Sequence, residues 1–207
     1  MRDFAEQKFL PSELPQAVVK ISWLLGNWEG SGQISYPGEE SFSFVQQARF
    51  ELDGSCNIKF TSSFWKLEEN NSTAHKINSE VGFWSLTKDE KVEVALSQAS
   101  GVSEIWTGLV EVLEIVDAKI TSARARIVTD LSAAAPSAMG IKQGDRLYAL
   151  MNNELLWTYD KSTLNNPLEN YLWARLSPIS YSQYQESQQT QKPTRSYGPP
   201  KPPGQEA

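Results

Sequence analysis

The most constraining feature of the sequence is a long succession of short β-forming segments, separated by turn signals, between residues 26 and 176. Residues 41–44 alternate serine with phenylalanine, and residues 91–96, Lys-Val-Glu-Val-Ala-Leu, are rich in residues that favour strands. Strands that follow one another through short turns form an antiparallel meander. About ten strands fit, and a meander of that length closes on itself to remove its exposed edges. We therefore predict an all-β fold, a closed antiparallel up-and-down β-barrel of about ten strands.

A short lead and one helix are predicted for residues 1–25, before the barrel of residues 26–176. The apolar residues of this helix share one face: Leu14, Val18, Ile21 and Leu25. Ser12 is placed to cap its start, and Gly26 is placed to end it.

The tail, residues 177–207, differs from the barrel in amino-acid composition. It is dominated by Gln, Ser and Pro, a composition that cannot bury a core, so we predict disorder with local polyproline II character. The prolines between Pro199 and Pro203 could dock into an aromatic groove of a partner. A solubilising tail is the simpler interpretation.

Charge and composition exclude several function classes. The 207 residues carry 19 Lys+Arg against 25 Asp+Glu, a net charge of −6, which argues against nucleic-acid binding. No apolar run approaches the length of a membrane-spanning helix, and no signal peptide is evident, so we expect a cytoplasmic protein. One cysteine and one histidine argue against a disulfide framework, a metal site and a Ser-His-Asp set.

The first strand carries the most informative motif, Gly26-Asn27-Trp28-Glu29-Gly30-Ser31-Gly32. Gly26 allows a sharp exit from the helix. Gly30 and Gly32 allow the strand to bend or to pack closely. Trp28 can plug one end of the barrel, with Arg175 as a stacking partner. This pattern resembles that of the nitrobindin family, small β-barrels similar in shape to fatty-acid-binding proteins and lipocalins.

Further motifs agree with this resemblance in order and spacing, over roughly residues 20–176. They begin at Glu80 (Glu-Val-Gly-Phe-Trp), at Ala99 (Ala-Ser-Gly-Val-Ser-Glu) and at Arg146 (Arg-Leu-Tyr), and they end with the closing strand of residues 166–176. Four ordered matches in one meander favour the family's fold.

The resemblance implies haem b in an apolar pocket, with ferric iron bound by the histidine of a P-L-x-x-H-L-x-A motif. Some family members are described as binding nitric oxide or isomerising peroxynitrite. Here residues 167–174 read Pro-Leu-Glu-Asn-Tyr-Leu-Trp-Ala, which places Tyr171 at the ligand position. By the same resemblance, Asn78 replaces a second histidine and Met139 replaces a frequent lysine. The resemblance therefore implies the family's barrel fold for this chain but not its histidine-ligated iron site.

Tyr171 is the candidate cofactor-binding residue, because tyrosinate can ligate haem iron. The phenol would have to ionise, which needs a nearby cation, and Arg175 is the candidate. Otherwise Tyr171 is a rim residue with a wet hydroxyl. His75 reads as a surface histidine, and Cys56 reads as a small filler near a turn.

Three functions remain open. The first is a nitrobindin-like barrel that binds a hydrophobic small molecule, with peroxynitrite isomerase activity not expected without the histidine. The second is a haem protein that handles nitric oxide or peroxynitrite through Tyr171 or another ligand. The third is a structural or interaction barrel filled by its own aromatic side chains.

Overall fold

Ten antiparallel strands close into one barrel in the computed structural model, which describes residues 14–54, 56–68, 73–190, 192–195, 197 and 200. In chain order they are β1 (Gly26–Ile34), β2 (Phe42–Leu52), β3 (Ile58–Leu67), β4 (Thr73–Leu86), β5 (Lys91–Gln98), β6 (Val102–Val116), β7 (Lys119–Ala134), β8 (Gln143–Met151), β9 (Glu154–Ser162) and β10 (Glu169–Ile179). Each strand pairs with its neighbours in sequence, and β1 pairs with β10. The predicted all-β, up-and-down barrel is confirmed.

Closure of the barrel crowds β1 against β10. A Cβ atom at Gly30 would overlap the carbonyl oxygen of Arg175, and one at Gly32 would overlap that of Trp173. Only glycine lets the two backbones approach so closely at these positions. The two glycines of the Trp28 motif thus lie at the closing seam.

The floor of the barrel is covered by a 3₁₀-helix, Gln16–Leu24. Its residues Val18, Ile21 and Leu24 are fully buried. Their spacing of three matches the three residues per turn of a 3₁₀-helix. The predicted N-terminal helix is therefore present in this tighter form, and Leu25 lies just beyond it. Ser12, its predicted cap, lies outside the described residues.

The prediction of a disordered tail from residue 177 is wrong over its first part. Strand β10 continues to Ile179, and helix α1 (Tyr181–Thr190) follows it. A reciprocal capping box starts α1: the Gln183 amide donates to Ser180 Oγ at 3.3 Å, and the Ser180 amide donates to Gln183 Oε1 at 3.0 Å. The guanidinium of Arg49 then packs on the Tyr181 ring, 4.6 Å from its centroid, so α1 gains a partner on the barrel wall.

Beyond α1 the chain crosses the outer face of β1, where it covers Glu29. The amide and hydroxyl of Thr194 donate to the Glu29 carboxylate at 2.8 and 2.6 Å, and the Tyr197 hydroxyl donates to it at 2.6 Å. Glu29 is 1% exposed. The predicted docking role of Pro199 to Pro203 stays a prediction, because most of that stretch lies outside the described residues. In the part of the chain that is described, no helix is long and apolar enough to cross a membrane.

Candidate functional site

The two ends of the barrel differ: among the described residues, the 3₁₀-helix covers one end and no helix covers the other. At the floor Trp28 is 5% exposed, and its Nε1 donates to the carbonyl of Leu24 at 2.8 Å, which ties β1 to the 3₁₀-helix. Arg175, the predicted stacking partner, lies instead on the outer face of β10. Its guanidinium pairs with Glu154 at 2.5 Å. The opposite end, called the mouth below, is where β1 ends and β10 begins.

Tyr171 lies at the mouth, in a β-bulge of β10. The register against β9 shifts between Asn170 and Leu172, so Tyr171 is the extra residue. Strict alternation from the buried Leu172 would turn Tyr171 outward. The bulge re-aims it, and its ring meets Tyr159 and Tyr36 edge to face at centroid distances of 5.6 and 5.7 Å. Tyr171 is half-buried, and its place as a haem-binding residue stays a prediction.

The cation beside Tyr171 is Lys161 and not Arg175. The Lys161 ammonium lies 3.5 Å from the centroid of the Tyr171 ring and 4.6 Å from that of Tyr36. Burial nevertheless raises the pKa of Tyr171 to about 12, with further upward contributions from Glu39 and Glu80. At neutral pH the side chain is therefore a phenol, because the cation lies over its ring face and does not offset burial.

Aromatic rings fill the barrel below the mouth. They form one chain of contacts with centroid distances of 4.7 to 6.4 Å: Phe60–Phe50, Phe50–Trp84, Trp84–Tyr148, Tyr148–Trp157, Trp157–Phe64 and Phe64–Phe44. A second chain links Trp106 through Tyr159 to Tyr171. A ligand that entered deeply would have to displace these rings, so the accessible inward surface is that of the mouth.

A buried ionic cluster joins three of the motifs found in the sequence. Arg146 Nη2 and Nη1 donate to the two oxygens of Glu80 at 2.8 and 3.3 Å, and Glu104 lies 3.8 Å from the same guanidinium. All three side chains are at most 4% exposed. Burial raises the pKa of Glu104, which Arg146 and Gln98 only partly offset. The cluster forms a polar layer beneath the mouth, in which Arg146 Nε is buried without a hydrogen-bond partner.

None of the other residues considered for haem binding offers an imidazole or a thiolate to the interior. His75 is exposed on β4, and Cys56 is exposed in the turn before β3. Met139 is 74% exposed. Asn78 donates to Gln98 Oε1 at 3.3 Å and offers no basic nitrogen. Within the described ranges no group of His, Cys, Asp and Glu side chains could hold a metal ion. This donor set does not fit an imidazole- or thiolate-ligated haem.

The outer side of the barrel wall carries cavities as well. One, of about 390 Å³, is an apolar groove on β4 to β7 lined by residues that include Val81, Phe83, Ile105 and Leu131. Another, of about 190 Å³, is polar and lies under the C-terminal segment beside Glu29. Sequence reasoning missed both, because each joins residues that are distant in the chain.

Comparisons with known proteins agree with this architecture. The family model described as "THAP4-like, heme-binding beta-barrel domain" matches residues 17–177. A "Ferric nitrobindin-like protein" of Streptomyces griseus is 33% identical over 82% of this chain and 85% of its own length. A "Peroxynitrite isomerase" of a Nocardioides species is 30% identical over 81% of this chain and 96% of its own.

A solved structure shows the same fold. The crystal structure of Rv2717c from M. tuberculosis superposes with a TM-score of 0.73 at 24% identity, over 81% of this chain and all of that one. The matches together confirm the nitrobindin resemblance drawn from the Trp28 motif.

Proposed function

Because the chain belongs to the THAP4-like, heme-binding β-barrel family, we propose that it binds a small apolar molecule at the barrel mouth without a histidine-ligated ferric haem. The observation that carries this proposal is the cluster of Tyr36, Tyr171 and Lys161 at the mouth, in which Tyr171 and Lys161 are half-buried and Tyr36 is 4% exposed. The exposed part of the Tyr171 ring offers apolar area and a stacking face to a ligand. The filled interior favours a flat molecule laid on the mouth over one threaded into the barrel.

Peroxynitrite isomerisation is not part of this proposal. The nitrobindin resemblance implies a histidine-bound haem for that activity, whereas the corresponding position in this chain holds the phenol of Tyr171, whose pKa burial raises to about 12. The roles left to the chain's own residues are stacking and hydrogen bonding by Tyr171, whose ring the buried Tyr36 contacts edge to face. Solvent access remains at the rim.

Naphthalene-2-carboxamide, a flat neutral probe, tests the proposal by isothermal titration calorimetry. The wild-type protein is expected to bind one equivalent, and Tyr171→Ala is expected to lose the binding because a stacking face is removed. Phe83→Ala is the matched control, since Phe83 is a half-exposed ring on the outer wall. Loss of binding in Phe83→Ala with retention in Tyr171→Ala would move the site to the outer groove and refute the proposal.

A second candidate, an interaction barrel, is favoured by the outer apolar groove. Val81 and Phe83 are each 47% exposed, and Leu131 is 62% exposed. Contiguous exposed apolar area of this kind marks interaction sites. The lining contains no Lys or Arg, and its one carboxylate, Glu104, is 2% exposed, so the groove suits an uncharged apolar surface, such as the same groove on a second copy of this chain.

Analytical ultracentrifugation tests this candidate. A dimer in the wild type that becomes a monomer in Phe83→Glu would support the interaction function. A monomer at all concentrations would exclude a second copy as the occupant.

A further inference from the structure

Lys161 is held in an unusual position for a lysine, on the inward side of β9. It follows Trp157 and Tyr159 at spacings of two, and both of those side chains point into the barrel. Its ammonium rests over the rings of Tyr171 and Tyr36, and the Tyr36 hydroxyl donates to the Lys161 carbonyl at 3.2 Å. The side chain is therefore fixed at the mouth and does not extend into solvent.

No carboxylate neutralises this ammonium in the described part of the chain, where every ion pair involves other cations. Glu104 is engaged by Gln98 at 3.0 Å and lies beside Arg146. Burial lowers the pKa of Lys161, and Glu39 and Glu104 act on it only at longer range. Ring faces compensate a half-buried cation in part, but a desolvated charge is better satisfied by an ion pair.

We infer that the mouth recognises a carboxylate on its apolar ligand, with the Lys161 ammonium as the counter-ion and the Tyr171 ring, which the buried Tyr36 ring contacts edge to face, against the apolar body. This inference rests on the proposed function of the mouth. A single lysine head is a compact point charge that matches a monoanion, whereas planar bidentate recognition belongs to arginine. The net charge of −6 also disfavours a multiply charged ligand.

The test compares two probes of nearly equal shape, naphthalene-2-carboxylate and naphthalene-2-carboxamide, by calorimetry at neutral pH. The wild type should bind the acid at least about tenfold more tightly than the amide, which corresponds to about 1.4 kcal/mol. Lys161→Met should erase this preference, because acid and amide then meet the same uncharged side chain, and Lys161→Arg should restore part of it. Thermal melts of each variant confirm that it is folded.

Two control variants locate the charge. Lys142→Met removes an exposed lysine at the start of β8, at the same end of the barrel, and should keep the preference. Lys66→Met removes a cation on β3 that lies 5.2 Å from the centroid of the Phe42 ring. This variant should also keep the preference for the acid. Loss of the preference in Lys66→Met and not in Lys161→Met would overturn the assignment.

The outcomes separate this inference from the function beneath it. Equal affinity of the wild type for acid and amide overturns the carboxylate inference and leaves the proposed function standing. Binding of neither probe overturns the proposed function, and the carboxylate inference with it. Tighter acid binding in Glu39→Gln than in wild type would add support, because Glu39 contributes negative potential at Lys161.

Discussion

Replacing Arg146 with methionine should destabilise the barrel strongly. The guanidinium is 1% exposed, bidentate to Glu80 and 3.8 Å from Glu104. It also lies over the rings of Trp106 and Tyr159, 4.9 and 4.5 Å from their centroids. Removing one partner of a buried ion pair costs about 3–5 kcal/mol, because the remaining charge is left without compensation.

Urea unfolding at pH 7 measures this loss, which corresponds to a fall in Tm of roughly 6–20 °C for a chain of this size. The matched control is Arg126→Met, whose side chain is 69% exposed and paired with Asp145; such an exposed pair is screened by solvent and contributes little to stability. The difference in free energy of unfolding between Arg146→Met and the wild type should decrease as the pH falls, since protonation neutralises the buried carboxylates that the variant leaves unpaired. A loss no larger than that of Arg126→Met would refute the reasoning.

Three further predictions concern other parts of the molecule. Trp28→Ala should lower the free energy of unfolding by about 3–5 kcal/mol, because the ring is buried; a urea titration showing less than about 1 kcal/mol would contradict its role at the floor. Burial raises the pKa of Glu104, so the stability due to its protonated form is present below the ordinary glutamate value and is lost as the pH rises through the raised one. The free energy of unfolding of Glu104→Gln should therefore rise relative to that of the wild type as the pH rises from about 4 to 7. A difference between the two that does not change with pH would contradict this expectation. Tyr197→Phe should cost about 1.5–3 kcal/mol, since it removes a donor to buried Glu29, whereas Tyr184→Phe, whose hydroxyl lies 3.4 Å from that of Thr61, should melt close to wild type.

The barrel could be predicted because strand alternation and turn residues are local signals. The sequence also contains recognisable motifs, namely the glycine spacing of Gly30 and Gly32 and the segments that contain Glu80, Glu104 and Arg146. Their meeting in one ionic cluster was not, because it depends on the register of strands β4, β6 and β8. Register is set by the closed sheet as a whole.

The arrangement of side chains at the mouth could not be predicted from the sequence either. The bulge that turns Tyr171 inward has no marker in the sequence, and without it alternation predicts the wrong face. Lys161 lies ten positions earlier, on the neighbouring strand, so its place over the Tyr171 ring needs the β9–β10 pairing. Helix α1, by contrast, had a readable signal in Ser180 and Gln183, which the Gln- and Ser-rich composition obscured.

Titration of the protein with hemin, followed by the Soret band, tests most directly whether the mouth lacks a histidine-type haem site. We expect weak or no binding by the wild type, because Tyr171 presents a protonated phenol. Tyr171→His should gain haem affinity and show a histidine-type Soret spectrum. Tight one-to-one binding of hemin by the wild type, abolished in Tyr171→Phe, would instead establish tyrosinate ligation at the mouth.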